Sequence, residues 1–306
     1  MLTRVYYATD VHGSEKCWKK FINAGKFYKA NVIILGGDLT AKRMIPIVKK
    51  GSDYEVLFEG KQLSCSADKV HELENLIRDK GYYPFLTTSD EVEELASNTK
   101  KRDALFIELE IETLRRWLRF ADERLKNTGI KCFVCPGNDD TLEIDKLFDE
   151  SECVTNAGNK VVMIDEHHEM ISLGWTNPTP WNTYRECSED ELRQKIEKLV
   201  CHVKNLNSSI FNLHAPPYGV GIDEAPKVDA STRIFVPVGS TAIRESIEKY
   251  QPLVGLHGHV HESRGFTKIG RTLCVNPGSA YERGILLGVL INIDEKSVKS
   301  YISISG

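Results

Sequence analysis

The chain is 306 residues long with 41% hydrophobic content, enough for one large α/β domain or two modest ones. A net charge of −4 argues against a protein that grips nucleic acid through a basic face, and no stretch approaches the roughly 18 apolar residues of a membrane span. The N-terminal MLTRVYYATDVHG lacks the uninterrupted apolar core of a signal peptide, and eight scattered cysteines do not read as a disulfide framework, so the expectation is a cytoplasmic protein with no membrane partner.

Residues 5–13, VYYATDVHG, begin as a buried strand and end in a turn that carries metal-capable side chains. A helical pattern follows at 17–29, then a second strand of the same grammar, NVIILGGDLT, at 31–40. The third, CFVCPGNDD, waits until 132–140, although strand, helix and strand need only roughly 40 residues. The surplus at 41–103 reads as an insertion holding a hairpin, MIPIVKKGSDYEVLFEG, and short helices near 67–80 and 89–99. It leaves the strand end that carries Asp38, and so either overhangs the site as a lid or decorates the periphery. A long helical pattern covers 104–127, and a pair of strands covers 160–166 and 168–175. The loop GWTNPTPWNTYR at 174–185 either walls a pocket or packs on the surface. A helix at 188–205 opens on Ser188 ahead of acidic residues, a helix-start signature. The fourth and fifth strands of the series are SIFNLHAPP at 209–217 and PLVGLHGHVHE at 252–262. Strand-like runs at 271–279, 285–294 and 297–305, joined by short turns, suggest antiparallel pairing.

Strands alternating with helices indicate an α/β layered fold, here two packed sheets flanked by helices in a single domain over residues 1–306. All five motifs fall at carboxyl ends of strands, where open α/β sheets collect their ligands. Asp10 and His12 stand two apart, and in an extended segment such side chains point the same way, so one cation can hold both. His259 and His261 repeat that spacing with two imidazoles. Asp38 follows Gly36 and Gly37, which let the backbone turn a carboxylate inward. His214 precedes Pro216 and Pro217, which stop the strand, and Asn138 offers an amide oxygen after a Pro-Gly turn. Taken singly, each is an ordinary strand-end or turn residue. Cys132 and Cys135 form a lone CxxC without a second pair, and read as two small core residues rather than a zinc or redox site.

The order D-x-H, G-D, G-N, H, G-H-x-H, each after a strand, resembles the calcineurin-like metallophosphoesterases. The resemblance implies a four-layer αββα sandwich with two mixed sheets and a site for two divalent metal ions. Asp10, His12 and His261 would hold the first ion, Asn138, His214 and His259 the second, and Asp38 would bridge them. Mixed nitrogen and oxygen ligation suits Mn, Fe, Zn or Co without choosing among them. The implied activity is hydrolysis of a small phosphate ester, a phosphodiester slightly favoured, by in-line attack of a metal-bridging hydroxide.

The third motif departs from the family. Where its pattern reads GNH followed by Asp or Glu, this chain has Gly137-Asn138-Asp139-Asp140. The missing histidine would contact phosphate and help protonate the leaving oxygen. Three answers are open: a protonated or metal-contacting Asp139, a substitute histidine, or a substrate that needs little help. His257, two residues before His259, is the nearest substitute. Arg43 and Arg283 are the candidate phosphate donors, with Lys42 beside the first. Two other functions stay in view: a scaffold that has lost catalytic power, and a nuclease, which would need a groove for a polyanion that the acidic balance does not suggest.

Overall fold

The computed structural model describes residues 2–228 and 233–306. Three strands that read as apolar runs, Thr3–Ala8, Val32–Leu35 and Lys131–Val134, lie parallel in one six-stranded sheet with the short strand Val154–Asn156, which carries no such run. Its other edge is the antiparallel pair Leu287–Asp294 and Ser297–Ser305. A second six-stranded sheet runs in the order Gly265–Ile269, Thr272–Asn276, Val254–Leu256, Ile210–Leu213, Glu169–Leu173, Lys160–Met163, with its four central strands parallel.

Strand alternation then builds the layers. One set of alternate side chains, including Val5, Tyr7, Val32 and Ile34, meets Met170, Ile210, Val254 and Leu273 of the second sheet in a shared core. The opposite set, Tyr6, Ala8, Ile33 and Leu35, packs on the helices Glu15–Phe27 and Thr99–Leu125 through Trp18, Phe21, Leu114 and Trp117. The outer face of the second sheet is covered by helices Glu189–Val200 and Thr241–Tyr250. The architecture is therefore α/β, with two mixed sheets sandwiched between helical layers. Ser188 caps its helix through a full capping box with Glu191. No helix among the described residues is long and apolar enough to cross a membrane.

Two expectations change. The run at 271–279 does not pair with the one at 285–294. Thr272–Asn276 lies parallel to Val254–Leu256 in the second sheet, while Leu287–Asp294 returns to the first. The segment 41–103 holds the expected hairpin, Met44–Lys50 with Asp53–Phe58, and helices Val70–Asp79 and Ser89–Ser97, but two further strands extend the hairpin into a four-stranded sheet in the order Lys61–Ser66, Asp53–Phe58, Met44–Lys50, Tyr83–Thr87. The two additional strands are the edges of this small sheet. One carries Pro84 and the other, KQLSCS, is largely solvent-facing, so neither shows the apolar run of a buried strand. Cys132 and Cys135 are buried free thiols, with burial pushing Cys135 up to about 12.

Candidate metal centre

The five motif loops leave the carboxyl ends of five strands and meet at the seam between the two sheets. They meet by turning, not by continuing the pleat. Asp10, His12, Asp38 and His259 all have left-handed backbones, with φ of 55°, 38°, 51° and 66°. Such angles are uncommon for residues with a Cβ and persist where surroundings over-determine them. The two-apart spacing of Asp10 and His12 therefore brings their side chains together through consecutive tight turns, and the extended-strand rationale for it does not hold. The turns are pinned by main-chain bonds from one motif to the next: Asp10 N–H donates to Gly37 O at 3.0 Å, and His12 N–H to Asp38 O at 3.0 Å. Close approach also needs glycine. A Cβ on Gly137 would stand 2.2 Å from Asp38 Oδ1, and one on Gly37 would stand 2.1 Å from His214 Nδ1.

The metal-capable atoms collect in three groups: Asp10 with His12 and His261, Asp38 with His214 and His259, and His12 with Asp38 and Asp139, the third joining the first two. His12 Nε2 faces His261 Nε2 at 3.0 Å and lies 3.7 Å from Asp38 Oδ2. His214 Nε2 is 3.3 Å from Asp38 Oδ2, which sets that carboxylate between the groups. Asn138 donates through Nδ2 to Thr183 Oγ1 at 2.9 Å, while its Oδ1 is buried without a hydrogen-bond partner, as is His214 Nε2. Buried polar atoms are rarely left so. Facing imidazole nitrogens, buried carboxylates and the unpartnered amide oxygen of Asn138 are the kind of donor set that a divalent cation satisfies.

The protonation states agree. Burial holds His12 well below the ordinary histidine range and brings His259 down to about 4, so both offer lone pairs at neutral pH. Burial also opposes charge on His214, but Asp38 and Asp10 outweigh it and lift this imidazole to about 9. In the metal-free protein a proton on His214 thus partly balances the two carboxylates. Burial would raise Asp10, yet the His261 hydrogen bond and the charges of His214 and His261 hold it below the usual carboxylate range.

Around this set stand residues that the sequence did not announce. Asp140 is fully buried and accepts from Leu39 N–H at 3.1 Å, Thr40 N–H at 2.8 Å, Thr40 Oγ1 at 2.7 Å and Gly137 N–H at 2.6 Å. It ties the loop of Asp38 to the loop of Asn138. Arg185, also buried, donates to the carbonyls of Asp140 and Thr141 and pairs with Asp145. The Tyr281 ring lies 4.8 Å from that of His12. The acidic residue after the family's GNH was a faint signal for Asp140. Thr183 and Arg185 lie in the 174–185 loop, whose aromatic and proline content marked it as a candidate pocket wall and whose Trp181 and Tyr184 do line a cleft at the site, while Tyr281 had no signal.

A cleft of about 520 Å³ opens over the second group, and Lys42, Arg43 and Asp139 share its wall with Asp38, Asn138 and His261. From the segment 41–103 only Ala41, Lys42 and Arg43 reach it. Asp139 pairs with Lys42 Nζ at 2.8 Å, and its Oδ2 is 3.7 Å from His12 Nδ1. Burial and the charge of Asp38 raise Asp139 to about 6, against the pull of Lys42. His257 is not in the cleft. Its Nδ1 faces the carbonyls of Leu213 at 2.8 Å and Ala215 at 3.1 Å, because the left-handed turn at His259 ends any extended register between the two histidines. Arg283, exposed in the short turn Tyr281–Arg283, does not line the cleft either. A larger cleft of about 710 Å³, over the helix Glu15–Phe27, contains none of these side chains.

The fold and site together define an αββα sandwich whose acidic and histidine groups are able to bind metal. Comparison with known proteins bears on the fold. No protein-family model matches the chain. Over 145 residues, 46% of its length, it is 40% identical to an uncharacterized protein of Methanocaldococcus jannaschii, and it spans 61% of that relative. One solved crystal structure aligns over 98% of both chains with a TM-score of 0.61 at 18% identity. The protein TT1561 of Thermus thermophilus aligns over 99% of both chains with a TM-score of 0.55 at 11% identity. At these identities the likeness is one of fold.

Proposed function

We propose that this chain is a metal-dependent phosphoesterase of the calcineurin-like class, acting on a small phosphate ester, with phosphodiesters favoured. One observation carries the reading: two His/carboxylate groups lie on either side of a single buried carboxylate, Asp38, whose Oδ2 is 3.7 Å from His12 Nε2 and 3.3 Å from His214 Nε2, with Asn138 Oδ1 left without a partner. Asp10, His12 and His261 would hold one divalent cation, and Asn138, His214 and His259 the other, with Asp38 between them. Such a pair, when bound, acidifies water and stabilises charge on the attacking and leaving oxygens of a phosphate ester.

The chain's own residues do the rest. Thr183 accepts from Asn138 Nδ2 and so directs Oδ1 inward. Asp10 accepts from His259 N–H through both oxygens, at 3.2 and 3.1 Å, which joins the first motif to the fifth. Asp139, standing where the family has histidine, lines the cleft and holds Lys42 at its wall through a 2.8 Å ion pair. Lys42 then supplies the fixed positive charge for a phosphoryl oxygen, and Arg43 a second donor. A substrate with a good leaving group suits this arrangement, because Lys42 and two bound cations would pull Asp139 back toward its ionised form, leaving charge stabilisation rather than proton donation at the cleft wall.

The test is to load the protein with Mn and assay bis-p-nitrophenyl phosphate and p-nitrophenyl phosphate against Asp38→Asn. Turnover well above that variant is expected. Equal, negligible rates together with no bound metal would favour the scaffold reading.

A further inference from the structure

The cleft has an aromatic rim that the hydrolytic chemistry does not use. Trp181 is 77% exposed and Tyr184 54% exposed, and both line the cleft beside Asp38, Asn138 and His261. Of the other tryptophans, Trp18 and Trp117 are buried, and Trp175 is partly covered, with Lys195 Nζ 4.1 Å from its ring centroid. An exposed indole contributes little to folding, since its apolar surface stays in water.

Its loop is nonetheless firmly built. The Glu186 carboxylate accepts from Thr179 N–H at 2.8 Å, Thr179 Oγ1 at 2.6 Å, Thr183 N–H at 2.9 Å and Thr183 Oγ1 at 2.6 Å. Thr176 N–H donates to Arg185 O at 3.0 Å and closes the loop's neck. The same Thr183 hydroxyl receives the Asn138 amide, so the loop that presents Trp181 is tied to a metal-capable side chain. A rigid loop that spends its order on an exposed aromatic pair is pre-organised to meet a flat ligand.

We propose that Trp181, with Tyr184, is the stacking platform for the base of a nucleoside phosphate ester. Its phosphate would lie over Lys42 and the two His/carboxylate groups. This rests on the phosphoesterase reading only for the phosphate end; the platform stands on the loop. The cleft of about 520 Å³ is larger than a bare phosphate needs and lies within the range of small-molecule sites. Its rim carries Arg43 and Glu262, a cationic donor and an anionic acceptor suited to the polar edge of a base, and unsuited to an acyl chain. Stacking on an aromatic side chain is sequence-tolerant and strong enough to set substrate preference.

The experiment compares adenosine 5′-monophosphate with ribose 5-phosphate as inhibitors of Mn-loaded wild type, Trp181→Ala and Trp181→Phe. Wild type should bind the nucleotide about tenfold more tightly than the sugar phosphate, Trp181→Phe should keep most of that ratio, and Trp181→Ala should bring it near one. Because the ratio is internal to each variant, partial loss of site occupancy does not imitate the effect. A wild-type ratio near one, or a full ratio in Trp181→Ala, overturns the proposal. A separate measurement stands free of hydrolysis: adenosine should quench the fluorescence component that Trp181→Phe removes, in metal-free protein. Quenching without any phosphate binding or turnover would leave the platform and remove the phosphoesterase. No quenching in a protein that hydrolyses phosphate esters would do the reverse.

Discussion

Asp140 offers the sharpest test of how the centre is assembled. It takes four hydrogen bonds, three of them from the backbone N–H groups of Leu39, Thr40 and Gly137. In Asp140→Asn the amide keeps one acceptor oxygen. The least costly placement turns its NH₂ toward Thr40, whose hydroxyl can accept, and leaves only the Thr40 N–H without a partner. A buried orphaned N–H costs about 1–3 kcal/mol, and two bonds reduced from charge-assisted to neutral lose about 1 kcal/mol each. Part of this returns, because burial and the charge of Asp38 already raise the Asp140 pKa, marking an ionised carboxylate that is costly to keep. The net is a loss of about 2–4 kcal/mol in unfolding free energy. Asp140→Ala, which strands all three backbone groups, should lose more. Urea unfolding of metal-free protein followed by circular dichroism reads the stability, and Mn titration reads the site, where affinity should fall because Asp38 and Asn138 lie on the two loops that Asp140 joins. Asp140→Asn within about 0.5 kcal/mol of wild type, or Asp140→Ala no worse than Asp140→Asn, would refute the clamp.

Other outcomes follow from the same geometry. Elemental analysis of purified, Mn-reconstituted protein should find about two equivalents of metal, with a clear deficit in Asp38→Asn; a stoichiometry unaffected by that change removes Asp38 from the centre. Metal binding near pH 7 should release protons, since His214 is held protonated up to about 9 and must give up its proton to ligate. Affinity then rises with pH and levels off above about 9, while the metal-free protein keeps the His214 contribution to stability below about 6.5 and loses it as pH climbs through about 9. Calorimetry in two buffers of different ionisation enthalpy checks this, and no buffer dependence contradicts it. Lys42→Ala should lower kcat/KM on phosphate esters by roughly tenfold or more with both metals retained, and an unchanged value would return Lys42 to the solvated surface. Asp139→His should keep or raise activity on poor leaving groups, whereas a large loss with metal still bound would mean that the hold of Asp139 on Lys42 matters more than a proton donor at that position.

Much of the site was legible in the chain because its signals are local. Each metal-capable residue follows an apolar run short enough to read as a strand, and Gly or Pro marks each turn. Asp10, Asp38, Asn138, His214 and His261 could thus be named and placed at strand ends before any coordinates. The packing of two sheets between helices was legible for the same reason, since buried parallel strands and amphipathic helices carry their periodicity within a few residues. What failed had no local trace. The strand pleat was the wrong reason for Asp10 and His12, because a left-handed turn is set by bonds to Gly37 and Asp38 on another loop. His257 has the right spacing and the wrong direction, and only the turn at His259 decides that. Asp140, Thr183 and Arg185 act through partners across loops, such as Thr40 for Asp140 and Asn138 for Thr183. Residue type and order, with the chemistry they permit, belong to the sequence by itself. Which atoms face one another was decided by the tertiary structure, because hydrogen bonds between distant loops, invisible to any local pattern, orient Asp10, His12, Asn138 and His259 at the centre.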